Sequence, residues 1–134
     1  MKNYQAGMHG VYLAAAELTR RGLIVSPTLR NAPVADLLVT DEDGKRAWSV
    51  QVKTNTNKAS FWLLNERAKS ISSPSHIYIF VNLEGKGCPE YLPVKSECVA
   101  SHVDEEQRPN STFHSFDRKN IKPGCSGWEI FESK

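Results

Sequence analysis

The stretch Val34–Lys53, VADLLVTDEDGKRAWSVQVK, limits the fold of this chain more than any other. Two apolar runs, Val34–Thr40 and Ala47–Lys53, flank a polar turn at Asp41–Lys45 that contains Asp43-Gly44. An Asp-Gly pair between alternating apolar runs is the strongest short-range hairpin signal, because both central residues of a type I′ turn need φ > 0. With Asp43 and Gly44 as the loop residues, Glu42 pairs with Lys45, and the same register places Asp36 opposite Gln51. Side chains alternate along a strand, so Lys53 shares the face of Gln51 and lies diagonal to Asp36. Directly opposed Cβ atoms sit ~4.5–5.5 Å apart and diagonal ones ~7–8 Å. One Asp, one Gln and one Lys are thus expected to converge on a sheet face whose neighbours Leu37, Leu38, Val50 and Val52 are apolar. A lone hairpin is marginal in water, so this one belongs to a larger sheet.

The remaining chain supplies that sheet and its cover. Residues 1–9 are polar, with Gly7 and then Gly10, and are expected to fray. Val11–Arg21 reads as a helix: it is rich in Ala and Leu, and Val11, Ala14, Ala15 and Leu18 share one face. Arg20 and Arg21 suit its C-terminal dipole, and Gly22 suits the position beyond. Leu23–Ser26 is a short strand stopped by Pro27. After the hairpin, TNTNKAS is a loop, Phe61–Leu64 an apolar cluster, and Asn65 the cap of a short helix through Ile71. His76–Leu83 is almost continuously apolar, the mark of a strand covered on both faces. Glu84–Gly87 reads as a turn, and Tyr91–Val94, with Pro93, as an edge strand. Ser96 is expected to cap a helix through Val103 with Val99 and Val103 inward. Residues 104–127 give no clear pattern, and Trp128–Phe131 is expected to dock on the core as a helical turn or strand. The order α-β-β-β-α-β-β-α implies an α/β sandwich, a central mixed sheet of about five strands flanked by helices, as one domain over 1–134.

Composition excludes several classes. The 134 residues are one ordinary domain's worth of chain. Seventeen Lys and Arg against fifteen Asp and Glu leave +2, which excludes a polybasic tail but allows a local basic patch. Three cysteines without paired spacing argue against a disulfide framework and for a reducing, cytoplasmic setting. No apolar run approaches the ~18 residues of a membrane span. Cys88, Cys98, His102, His114 and Cys125 match no compact zinc spacing, and Gly85-Lys86-Gly87 lacks the spacing of a phosphate loop. Phe61 and Trp62 are better explained by core packing than by base stacking.

The converging trio suits metal-assisted phosphodiester hydrolysis. An Asp carboxylate and a Gln amide oxygen can hold Mg²⁺ (or Mn²⁺), which takes only one or two carboxylates from protein and keeps several waters. The Val52 carbonyl, between Gln51 and Lys53, offers a third ligand. Lys53 can orient or deprotonate the attacking water, or neutralise charge in the transition state. Arg30 and Asn31, in the loop leading to Asp36, and Lys58, in the loop after Lys53, are the candidate nucleic-acid contacts. Scattered basic residues are more commonly plain solvated surface.

An Asp early in one hairpin strand followed by Gln-Val-Lys in the next, after a helix and a short strand, resembles the PD-(D/E)xK nuclease superfamily, and most closely a group of small bacterial members. That resemblance spans roughly residues 7–95 and maps the family Asp onto Asp36 and its Glu-x-Lys onto Gln51-Val52-Lys53. It implies a restriction-endonuclease-like fold and a metal-dependent nuclease whose substrate is nucleic acid, foremost double-stranded DNA. It also suggests a homodimer. Two positions depart from the family. Gln51 is neutral where the second carboxylate usually stands, and Val11 aligns with a glutamate that many members carry on the first helix. Glu17 is nearly two turns later on that helix. The competing expectation is a weakened or inactive nuclease fold that binds nucleic acid or a protein.

Overall fold

A computed structural model describes residues 1–29, 32–83 and 87–132. Its main sheet has the strand order β1-β2-β3-β5-β6, with β1 Ile24–Pro27, β2 Leu37–Thr40, β3 Ala47–Asn55, β5 His76–Asn82 and β6 Glu90–Lys95. The β3–β5 pair is parallel and the other pairs are antiparallel. A second sheet has the order β4-β8-β7, from β4 Phe61–Leu64, β7 Asp104–Arg108 and β8 Ser111–Asp117.

The hairpin register is the expected one, running from Thr40↔Ala47 to Leu37↔Val50. Its turn differs. Among the described residues only glycines have positive φ, so Asp43 is not in the left-handed region that a type I′ turn requires, whereas Gly44 is, at φ 69°. The loop is longer, and Asp41 organises it. The Gly44 N–H donates to the Asp41 carbonyl (3.0 Å), and the Asp41 carboxylate accepts from the Lys45 and Arg46 N–H groups at 2.8 and 3.3 Å. Both loops share the centre 43–44, so the register is the same.

Helix α1, Asn3–Arg20, starts eight residues before the expected helix. The Gln5 side chain accepts from the Lys2 N–H at 3.0 Å, half of a capping box. Ala6, Gly10, Val11, Ala14 and Leu18 form its buried stripe. Gly10 weakens an isolated helix but lets α1 approach β3: a Cβ there would lie 1.9 Å from Thr54 Oγ1 and 2.9 Å from Thr54 Cβ. Packing against the sheet therefore overrides the poor local propensity of the first ten residues.

Alternation in β3 buries Trp48, Val50 and Val52 under α1. Every residue of β5 is buried, as its sequence indicates: Ile77, Ile79 and Val81 face the α1 core, while Tyr78 and Phe80 face a second core with Trp62, Val94, Val99 and Phe116. Phe80 stacks on Phe116 with centroids 5.3 Å apart, and Trp62 Nε1 donates to the Val81 carbonyl at 3.1 Å. Strand β6 lies at the edge and carries Pro93.

Several local expectations change. After Asn65, which caps through its side chain (3.0 Å from Arg67 N), the helix is a single 3₁₀ turn, Glu66–Lys69. Helix α2 is short, Ser96–Ala100, and Ser96 does not cap it. Its buried hydroxyl donates instead to the Ser73 carbonyl at 2.8 Å. Phe61–Leu64 is a strand, and residues 104–117 form a hairpin whose second strand pairs with it. Trp128–Phe131 is a 3₁₀ turn that sets Phe131 edge-on to Trp48, 5.3 Å between centroids. Cys98 and Cys125 form a disulfide, which corrects the expectation of three unpaired thiols; Cys88 is free and exposed. Among the described residues, no helix is long and apolar enough to cross a membrane. Most of the turn expected at 84–87 falls outside the described residues.

Candidate functional site

The second core rests on β5 and β6 and includes no residue of β2 or β3. The same face of the main sheet is therefore less covered towards β2, where Leu38 is 52% exposed. Asp36, Gln51 and Lys53 lie in this open part and are each half-buried.

Asp36 stands one residue before β2, and there the ladder departs from its register. Its N–H donates to the Val50 carbonyl at 2.8 Å, and its carbonyl accepts from Thr28 N at 2.9 Å. The Thr28 hydroxyl donates to the Ala35 carbonyl at 2.6 Å, which tightens the bend. Backbone groups alternate sides along a strand. Ser49 and Asn55 use theirs on neighbours of β5, through Ser49 N to Ser75 O and Leu83 N to Asn55 O, both at 2.8 Å. The groups of Val52 therefore point the other way, past the end of β2. The Asp36 carboxylate fills that gap and accepts the Val52 N–H through Oδ2 at 2.7 Å. The side chain expected opposite Gln51 thus reaches one residue further and binds the peptide between Gln51 and Lys53.

Electrostatics mark the same residues. Burial pushes the Asp36 carboxyl above its ordinary pKa, against the Val52 N–H and Lys53, which pull it down. Burial pulls the Lys53 ammonium below its ordinary value, against Asp36, which raises it. Desolvation outweighs mutual attraction in both, and among the described residues no ion pair within 4 Å joins them. Perturbed opposite charges on an open face are characteristic of functional sites.

The oxygen donors present are the Asp36 carboxylate, the Gln51 amide and the Val52 carbonyl, whose edge of the strand Asp36 occupies. They fit a hard cation that retains several waters, with one negative charge from protein. Among the described residues, no three His, Cys, Asp or Glu side chains converge as a metal cage. Val11 is buried in the core, so it offers nothing to this site. Glu17 is paired with Arg20 (2.6 Å) and Arg21 (2.8 Å) near the far end of α1.

Lys53 also lines a cleft of about 280 Å³ with Asn3 and Gly7 of α1, Asn55, Thr56 and Leu63. The loop after β3 is held at several points. Asn55 Nδ2 donates to Phe61 O (2.7 Å), Asn82 Nδ2 to Ala59 O (3.1 Å), and Arg118 N to Ser60 O (2.8 Å). Asn82 also donates to Glu90 (3.0 Å), which grips the Arg118 guanidinium at 2.5 and 3.1 Å. Exposed Lys58 belongs to this loop, and its charge helps hold Glu90 below the usual carboxylate range, after the Arg118 hydrogen bond. Arg30 and Asn31 lie outside the described residues. Sequence reasoning passed over Asn82, although a lone Asn closing a fully buried strand is a signal. It also passed over the pair Ser49 Oγ and His76 Nδ1, 2.7 Å apart. Their partners are distant in sequence.

No family model matches this chain, and no curated protein does. Among solved structures it is similar to Hjc, a Holliday junction resolvase from Archaeoglobus fulgidus. The TM-score is 0.51 at 10% identity, over 85% of each chain. The fold is therefore restriction-endonuclease-like, the α/β sandwich with a five-stranded mixed sheet expected from the sequence.

Proposed function

We propose that this protein is a metal-dependent nuclease-like phosphodiesterase acting on nucleic acid, with double-stranded DNA as the leading substrate. The observation that carries this reading is the Asp36–Val52 hydrogen bond. It sets the Asp36 carboxylate against the Val52 backbone, between Gln51 and a partly desolvated Lys53. The fold shared with a Holliday junction resolvase supports it. Asp36, Gln51 and the Val52 carbonyl would hold Mg²⁺ or Mn²⁺. The ion would supply Lewis-acid polarisation of a phosphoryl oxygen. Lys53, whose ammonium gives up its proton more readily than a solvated lysine, orients the attacking water and takes or shares its proton. In its charged form it offsets the charge that develops on the phosphate. The strapped loop carrying Lys58 lies beside the cleft, where backbone phosphates would pass, and Arg30 and Asn31 would extend that contact. Two copies acting on two strands would account for cutting both.

The test is nicking of supercoiled plasmid with Mg²⁺ or Mn²⁺ by wild type, Asp36→Asn and Lys53→Met. Metal-dependent nicking that both variants lose is expected. Equal activity in all three would remove the site from the reaction. Neutral Gln51 and buried Val11 favour a second reading, a module that binds nucleic acid with little or no cleavage. It predicts an affinity that falls steeply with salt as phosphate contacts release counterions.

A further inference from the structure

We propose that the outer face of the β4-β8-β7 sheet docks a short segment of a partner protein that carries apolar side chains among lysines or arginines. Strand alternation sends Trp62 and Phe116 into the core and leaves Phe61, Leu63 and Phe113 on the opposite face, 48%, 55% and 37% exposed. They line a cleft of about 380 Å³ together with Asp104, Glu106 and Arg108. Contiguous exposed apolar side chains rimmed by polar ones mark interaction surfaces.

Charge selects the occupant. Register and alternation place Asp104 and Glu106 on this face of the cleft with Arg108, two carboxylates to one guanidinium, in a chain whose total is +2. Arg108 itself shows how a cation sits here: its guanidinium lies 4.3 Å from the Phe113 ring centroid and 3.2 Å from the Glu106 carboxylate. A partner's Lys or Arg can pair with Asp104, whose row across the sheet ends at Leu63, while its apolar side chains cover Leu63 and Phe61. The same carboxylates repel phosphates, which disfavours a nucleic-acid strand stacking on these aromatics. Two copies meeting through this face would oppose like charges, which disfavours self-association.

The test uses a fluorescein-labelled peptide of pattern Lys-Val-Lys-Phe-Lys-Val-Lys and its counterpart with Glu for Lys, each titrated against the intact chain at low salt by anisotropy. The lysine peptide should saturate and the glutamate peptide should not. Phe61→Ser with Phe113→Ser should weaken binding about tenfold or more, the scale of one modest hot spot. Asp104→Lys with Glu106→Lys should abolish it. These side chains are exposed, so melting should stay near wild type. Leu63→Ser, alone, gives an independent loss of affinity if the double serine variant unfolds. Equal binding of both peptides, absence of saturation, or unchanged affinity in the charge-reversal variant would overturn the proposal. So would a single-stranded oligonucleotide that competes for Phe61, or a dimer in sedimentation that Phe61→Ser dissolves.

Discussion

Gly10→Ala tests how α1 is seated beside the candidate site. In an exposed helix this change stabilises by about 1 kcal/mol, because Ala loses less backbone freedom. Here the added carbon would fall 1.9 Å from Thr54 Oγ1, 2.9 Å from Thr54 Cβ and 3.0 Å from Cγ2. Rotating Thr54 moves the oxygen and the methyl but leaves Cβ, so the helix and β3 must separate until carbon contacts approach ~3.5–4.0 Å. Overpacking of this kind costs about 1–3 kcal/mol. Against the propensity gain, a net loss of up to about 2 kcal/mol is expected, which for a chain of this length lowers Tm by up to about 8 °C. The assay is urea and thermal unfolding of wild type, Gly10→Ala, Thr54→Gly and the double variant. In the Thr54→Gly background, Gly10→Ala should turn neutral or stabilising, a coupling between residues in contact. If Gly10→Ala stabilises the wild-type background, or the two changes simply add, the close approach of α1 to β3 is wrong.

Native protein should present one thiol reactive to a chromogenic disulfide reagent, Cys88, and three after reduction. Opening Cys98–Cys125, which are 27 residues apart, should lower stability by about 3.5 kcal/mol on chain-entropy grounds. Three reactive thiols in the oxidised, folded protein would contradict that link. Asp36→Ala strands the Val52 N–H and should destabilise by about 1–3 kcal/mol, whereas Asp36→Asn, which keeps an acceptor, should fold normally. For pH, the raised Asp36 pKa means its favourable contribution is complete below the unfolded value and lost as pH rises through the folded one. The lowered Lys53 pKa means its contribution is present above the unfolded value and lost as pH falls through the folded one. At neutral pH both groups therefore carry a desolvation cost. Lys53→Met should raise stability there, with the gain fading at alkaline pH in denaturation curves. A lysine that reduces stability where it stands is one expected at a working site.

The hairpin register was legible because it depends on two local facts, side-chain alternation and the position of the turn centre. The loop proved longer than two residues, yet its centre stayed at 43–44, so Leu37 still meets Val50. The burial of His76–Asn82 on both faces was legible for the same reason: seven consecutive residues declare it without knowledge of their neighbours. That Gln51 and Lys53 share one face of β3, with Asp36 at the end of the neighbouring strand, could be read from alternation and the turn centre. The bend that turns Asp36 onto the Val52 N–H could not, because it depends on Thr28, which meets it from just past the end of β1.

By itself, the sequence determined the features that near neighbours set: strand periods, the turn centre, the edge proline and the Asn65 cap. Tertiary structure decided the rest. Gly7 and Gly10 argued for a frayed start, but contact with Thr54 makes Gly10 the residue that lets α1 approach the sheet. Residues 104–117 carry little apolar pattern, because β7 is exposed along its whole length and β8 buries only Phe116 fully. They became a sheet only by pairing with Phe61–Leu64, some fifty residues earlier. Cys98 and Cys125 gave no spacing to read, since the fold rather than the chain brings them together. Each miss has one physical cause. Local propensities are worth a fraction of a kcal/mol per residue, and a distant packed or bonded partner outweighs them.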